Sequence, residues 1–179
     1  EYAMKSVELD GQDSLSHGVL GLMYLNRQSH ELAEHYLLKS LELNPNRPAL
    51  MTSLGSFYAY LGKTEEAMRC FAEAKRLDPH YDPSWYWSEL GTIYFIARRY
   101  DEAIAALSRS QNMPYWAHLY LAAAYAHTGK IDRAKDHAAS VLRLIPDFSL
   151  TRFAAKEPFK HAADREHLVD GLCKVGLPE

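Results

Sequence analysis

Nine histidines and two cysteines are the residues of this 179-residue chain whose types could support metal, redox or acid–base chemistry. The nearest approach to a metal motif is His30-Glu31-Leu32-Ala33-Glu34-His35. Zinc held by H-E-x-x-H needs its two imidazoles four residues apart, on one helix face. Here they stand five apart, so around a helix the rings diverge by about 140° and cannot meet on one ion. Cys70 and Cys173 are widely separated and form no C-x-x-C, which gives neither a zinc ligand set nor a disulfide framework. His118 reads as a core histidine, and His127 as a group able to titrate near neutral pH. The sequence carries no nucleophile motif, no phosphate-cradling glycine loop and no paired-carboxylate pattern. The chain therefore reads as non-catalytic, with no catalytic residue, no metal and no cofactor. What remains is the chemistry of recognition, for which Trp85 and Trp116 are the candidate anchors, because large aromatics dominate binding energy at interfaces.

The residues that must position those anchors recur about every 34 positions. One copy is Trp87, Leu90, Gly91, Tyr94 and Ala103; another is Met51, Leu54, Gly55, Tyr58, Ala67, Phe71, Ala74 and Pro79. The small residue after Leu falls at Gly21, Gly55, Gly91 and Ala122, with steps of 34, 36 and 31 residues. The two extra residues are placed at Asp82-Pro83 and the shortening near Gln111 to Pro114. Changed lengths belong in the turns between repeats, since a helix interior that loses residues rotates its apolar face. Two helix backbones approach closely only where the side chain is tiny, which assigns Gly21, Gly55, Gly91 and Ala122 to one helix and Ala33, Ala67, Ala103 and Ala134 to its partner. Tyr24, Tyr58, Tyr94 and Tyr125 fill the space alongside and need a partner or a wet edge for their hydroxyls. Thr64, followed by Glu65-Glu66, reads as an N-cap with an acidic first turn. Pro45, Pro79 and Pro146 end the second helices.

Bulky, Leu, Gly and Tyr on one helix, then Ala, aromatic and Ala on a second, then Pro: this spacing resembles the tetratricopeptide repeat. The resemblance implies an all-α fold, a right-handed α-solenoid of antiparallel helix pairs (helix A and helix B). Four repeats are expected at 14–47, 48–81, 84–114 and 115–148. Residues 1–13 read as the remnant of a preceding repeat, helix B only, cut from a longer protein. Residues 149–179 form a C-terminal capping segment. Within it Leu168, Val169, Leu172 and Val175 share one face of a helix from about Ala162 to Lys174, expected to cover the last helix B.

In such arrays, the resemblance implies, helix A residues not used in packing line a concave groove. By register that groove comprises Leu22 from the first repeat, Thr52, Ser56 and Tyr60 from the second, Trp85, Ser88, Thr92 and Phe95 from the third, and Trp116, Leu119, Ala123 and His127 from the fourth. It is apolar to aromatic and almost uncharged. Co-chaperones of this family that grip acidic peptide ends need Lys and Arg there; Gly18, Leu22, Ser53, Trp85 and Glu89 take those places, so that use is set aside. An apolar groove suits a helix or an extended apolar segment of another protein.

Net charge is −3, from 20 basic and 23 acidic residues, and no basic run exceeds two residues, which argues against nucleic acid. No apolar stretch reaches the ~20 residues of a membrane helix. Reduced cysteines point to the cytoplasm.

The tail is similar to something narrower. Glu157-Pro158-Phe159-Lys160, Ala163-Asp164, His167 to Leu172 and Lys174 to Glu179, with Pro114 to Leu119 and Pro146 to Ser149, resemble the C-terminus of bacterial class III adenylate/guanylate cyclases that carry such repeats. That resemblance, over roughly residues 80–179, implies a regulatory, protein-binding region whose cyclase domain lies upstream. The alternatives are a self-association scaffold, giving a homo-oligomer, and the repeat region of a bacterial transcription regulator.

Overall fold

The computed structural model describes residues 2–179; Glu1, the start of the expected half-repeat, lies outside them. Eleven helices and no strand occur among the described residues. They fall into two compact units, Glu1–Tyr81 and Asp82–Glu179. The first holds α1 (Tyr2–Leu9), α2 (Ser14–Asn26), α3 (His30–Leu43), α4 (Pro48–Tyr60) and α5 (Thr64–Leu77). The second holds α6 (Tyr86–Ile96), α7 (Tyr100–Leu107), α8 (Tyr115–His127), α9 (Ile131–Leu144), α10 (Leu150–Lys156) and α11 (Ala162–Cys173). The pairs α2/α3, α4/α5, α6/α7 and α8/α9 pack as helix A on helix B. Within each unit, helix A also meets the next helix A, α2 against α4 and α6 against α8.

The close approach within each pair follows from its glycine. A Cβ added at Gly21 would lie 2.5 Å from Leu37 Cγ, at Gly55 2.8 Å from Phe71 Cδ2, and at Gly91 2.5 Å from Leu107 Cγ. The fourth repeat has Ala122 at this place, and the residue in register with Leu37, Phe71 and Leu107 is there Ala138, nearly sealed like them. Volume has moved from one helix to the other while the sum stays small, as close packing requires. Ala33, Ala67, Ala103 and Ala134 are all fully buried.

One turn geometry serves all four pairs. The amides of Ser29, Lys63, Arg99 and Lys130 donate to the carbonyls of Tyr24, Tyr58, Tyr94 and Tyr125 at 2.8–2.9 Å. This is the six-to-one bond of a helix closed by a left-handed residue. That residue is Gln28 (φ 58°), Gly62 (φ 77°), Arg98 (φ 62°) and Gly129 (φ 75°) in turn.

Three expectations need correcting. Thr64 is not an N-cap: α5 begins on it, and the cap position is Lys63, with no side-chain bond. The shortened third repeat loses its residues from α7, which has 8 residues where α3, α5 and α9 have 14. Trimming the end of a helix leaves the phase of the remainder intact, so the packing face survives. Finally, α11 does not cover the last helix B, α9; it lies on α8. The tail also contains a short helix, α10, opened by the Ser149 hydroxyl accepting from the Arg152 amide.

Candidate functional site

In the first unit the helix A face carries a stripe at i, i+4 and i+7 on α2. Leu15 is 38% exposed, Val19 50% exposed and Leu22 half-buried. On α4 the hydroxyl of Thr52 is sealed and donates to the Ala49 carbonyl at 3.0 Å, with the Tyr81 hydroxyl 3.5 Å away. Ser56 is buried, and Tyr60 is half-buried at the end of the helix. Burial raises the Tyr81 phenol above its ordinary pKa. The accessible part of this face is therefore apolar with one phenol, Tyr60. Thr52 and Ser56 contribute shape more than contact.

In the second unit most of the residues assigned to the groove are sealed. Ser88 donates to the Ser110 hydroxyl at 2.9 Å, which ties α6 to the turn after α7. Thr92, Phe95, Leu119 and Ala123 are buried, and the Thr92 hydroxyl finds no hydrogen-bond partner among the described residues. Trp85 stands at the N-cap of α6, 38% exposed, and Trp116 is half-buried in the first turn of α8. Trp87, the bulky residue of its repeat copy, is half-buried under the Arg109 guanidinium, which sits 3.5 Å from its ring centroid.

What covers Phe95, Ala123 and His127 is α11. A Cβ on Gly171 would lie 2.8 Å from His127 Nε2 and 3.0 Å from the Ala123 methyl. The His127 and His167 rings stack at 4.0 Å, tilted by 8°. His127 Nε2–H donates to the His167 carbonyl at 3.0 Å, and His167 Nε2 is 2.8 Å from the Tyr100 hydroxyl. Phe95 closes the cluster, 5.5 Å from His167. At its rim Arg98 pairs with Asp164 at 2.9 Å, and Lys174 with Asp170 at 2.8 Å. Burial drives the His127 pKa below its ordinary value. Burial, the Arg98 charge and the neighbouring His127 push His167 down to about 4. The docked helix has removed water from His127, which is the cause of that lowering.

His118 has its own partner, with the two Nδ1 atoms of His118 and His137 2.9 Å apart and Tyr125 stacked on His137. The first repeat places His17, Tyr24 and Tyr36 in the same column. The pair is therefore repeat packing, and burial lowers both pKa values. No grouping of three or more His, Cys, Asp or Glu side chains suited to a metal occurs among the described residues. His35 is exposed. Burial pushes the Cys70 thiol up to about 11, which keeps it a poor nucleophile. An open depression of about 180 Å³ between the start of α8 and α10, lined by Tyr115, Phe148, Arg152 and Lys156 among others, is below the usual size of a small-molecule site.

Sequence reasoning missed His167 and Gly171, which belong to this cluster. Their i, i+4 spacing puts them on one helix face, but nothing in it says which surface that face meets. It also missed Glu157, buried and accepting a hydrogen bond from the Tyr120 hydroxyl.

Residues 16–47 and 48–81 match the tetratricopeptide repeat family. The chain is 30% identical over 71 residues to the small glutamine-rich tetratricopeptide repeat-containing protein 2 of Mycosarcoma maydis, a match covering 40% of this chain and 20% of that protein. Among solved structures, the Cut9–Hcn1 hetero-tetramer of the APC/C superimposes with a TM-score of 0.71 at 21% identity, covering 95% of this chain and 32% of that one. YrrB, described as a repeat protein of this kind with an unusual peptide-binding site, superimposes with a TM-score of 0.57 at 20% identity, covering 98% and 91%. At these identities the structural likenesses speak for the fold alone.

Proposed function

We propose, for a chain that carries tetratricopeptide repeats and adopts their all-α fold, that it is a non-catalytic module holding another polypeptide against the helix A faces of its repeats. The observation that carries this reading is the uncharged stripe Leu15, Val19 and Leu22 on α2. Three aliphatic side chains on one face of a helix, partly open to water, are what an apolar segment would cover. Tyr60, half-buried, adds a phenol to that surface within the first unit; in the second unit, taken by itself, Trp85 is 38% exposed and Trp116 half-buried. The peptide-binding site named for YrrB supports the same use of the fold.

The finer reading places the module at the C-terminal end of a bacterial, cytoplasmic adenylate/guanylate cyclase, as a regulatory arm. Its support is the tail: Glu157, Pro158, Phe159, Leu168, Leu172, Val175 and Leu177, all within the motif, are buried, as are Leu150 and Phe153 outside it. A tail of this build is a fitted part of the second unit. Because the chain spans a fifth or less of the length of the curated relatives it matches, the parent protein's activity stands as part of this proposal.

The test is a quantitative interaction screen of the wild-type chain against Val19→Glu/Leu22→Glu and against Trp85→Ala/Trp116→Ala. A specific partner lost with the first pair is expected for the first unit, and one weakened with the second pair for the second unit. Every specific partner binding both variants as well as wild type would remove the reading. Light scattering on the same samples separates the self-association scaffold: an assembly that grows with concentration and is abolished by Val19→Glu/Leu22→Glu would favour it.

A further inference from the structure

The fourth repeat differs from the other three at one point of contact between its helices. In register with His118 on α8 and His137 on α9 stand His17 and Tyr36, Met51 and Cys70, and Trp87 and Ala106, so the fourth pair alone sets two imidazoles against each other. Packing accounts for two rings at this place, but not for the way they point. The Nδ1 atoms are 2.9 Å apart and the ring centroids 5.2 Å apart, with the planes tilted by 37°. Each nitrogen therefore lies between the two centroids and turns its lone-pair position toward the other. Two bare acceptors do not approach this closely without something shared between them. A proton serves, when one imidazole takes the Nδ1–H form and donates to the other. A metal ion serves as well, since the neutral imidazole nitrogen is the commonest protein ligand of such ions. Both rings are half-buried and so stay near water, which can complete a coordination sphere. Tyr125 stacks on His137 with ring centroids 5.7 Å apart and holds its plane.

We propose that His118 and His137 form an open site for one divalent transition ion, Zn²⁺ or Cu²⁺, held by the two Nδ1 atoms and completed by water. A tetrahedral ion with Zn–N bonds of about 2.0–2.1 Å needs the two nitrogens about 3.3 Å apart, a few tenths of an ångström beyond the hydrogen-bonded pair and within reach of a small ring rotation. On binding, the imidazole that carries Nδ1–H shifts that proton to its own Nε2. Both rings then present an Nδ1 lone pair, and no net proton is released. Neutral rings are the state that the fold already favours, because burial lowers both pKa values. The charges acting on the pair are Arg143 at His118, and Arg133 and Asp136 at His137. The two guanidiniums oppose any cation, and Asp136 offsets them in part. An all-imidazole donor set in that surrounding suits zinc and copper and does not suit Mg²⁺ or Ca²⁺, which require oxygen ligands. The ion would join helix A to helix B of the fourth repeat, where α8 also carries α11. This goes beyond the proposed interaction role and does not depend on it.

The experiment titrates the whole chain, treated with chelator and dialysed, with Zn²⁺ in a calorimeter at about pH 7.5, above the ordinary imidazole pKa. Cu²⁺ and Mg²⁺ follow on the same sample. A single equivalent of Zn²⁺ should bind, Cu²⁺ should bind more tightly, and Mg²⁺ should not bind. His118→Gln should weaken Zn²⁺ binding at least about tenfold, and so should His137→Tyr, which copies Tyr36 of the first repeat. His30→Gln/His35→Gln should leave it unchanged. In wild type, Zn²⁺ should slow amide exchange over α8 and α9 and shift the Nδ1 resonances of both rings in nitrogen NMR; in the two ligand variants it should do neither. Should one of these two substitutions unfold the repeat, the other decides. No stoichiometric uptake of Zn²⁺, or uptake that survives the loss of either imidazole, overturns the inference and leaves the pair sharing a proton alone. Neither result touches the interaction reading, which is tested at Val19 and Leu22.

Discussion

Gln28 and Gly129 hold the same backbone conformation with different side chains, and the difference is measurable. A left-handed residue with a Cβ costs about 1–2 kcal/mol that glycine does not incur. A Cβ on Gly129 would meet nothing within 4 Å, so Gly129→Ala isolates the backbone cost, and chemical denaturation should show a loss of about 1 kcal/mol. Gln28→Gly should move in the opposite direction by somewhat less, since glycine also gains freedom in the unfolded chain. His127 and His167 give a second prediction at this scale. Both are depressed in the fold, His167 to about 4 against an ordinary 6.5, so the unfolded chain binds more protons between those values. Their contribution is whole above pH 6.5 and is lost as pH falls toward 4, with a slope no steeper than about 1.4 kcal/mol per pH unit for each imidazole. The groups facing them are Arg98 and Lys174, which oppose protonation, Asp170, which favours it, and Tyr100. Asp170, held low by Lys174, loses its own contribution only at more acid pH. A stability–pH curve of His167→Gln should be flatter than wild type across that window; an unchanged curve would show that the stack is not linked to folding.

Helix pairs share volume across their contact, so elements are best tested two residues at a time. Gly91 with Leu107, and Ala122 with Ala138, are two solutions of one packing problem. Ala138→Leu should overpack α8 against α9 at a cost of about 1–3 kcal/mol. Adding Ala122→Gly should recover part of that loss, although glycine alone at 122 costs the helix about 1 kcal/mol. A double-mutant cycle with no coupling would mean that the two positions do not face each other. The same logic explains why α7 could shorten: Ala103, Ala106 and Leu107 keep their places on α6, and only turns beyond Leu107 are missing.

On the scale of the molecule, contacts run between neighbours within each of two compact units, and stability in such arrays is a sum over neighbours. Tyr120 makes this testable, because its hydroxyl donates to the buried Glu157 and so joins α8 to the start of the tail. Tyr120→Phe should cost about 1–3 kcal/mol, the range for losing a hydrogen bond to a buried carboxylate. Amide exchange should rise over α8, α10 and α11 and stay at wild-type rates over α2 to α5. Equal loosening throughout would argue against local accounting.

The helix pairs, their order, the turn positions and the extent of α11 were legible in the sequence. Each is a local consequence of a period: small residues at the crossing, Tyr at the closing turn, and apolar residues spaced for one face. The columns at Gly21, Gly55, Gly91 and Ala122 could be read because four copies align. Where α11 would lie could not be read that way, since the tail occurs once and its amphipathic pattern is satisfied equally by α9 or by α8. Tertiary packing chose α8, where Gly171 fits against Ala123 and His167 stacks on His127. That single placement turned His127 from an open imidazole into a covered one, and covered Phe95 and Ala123 beside it.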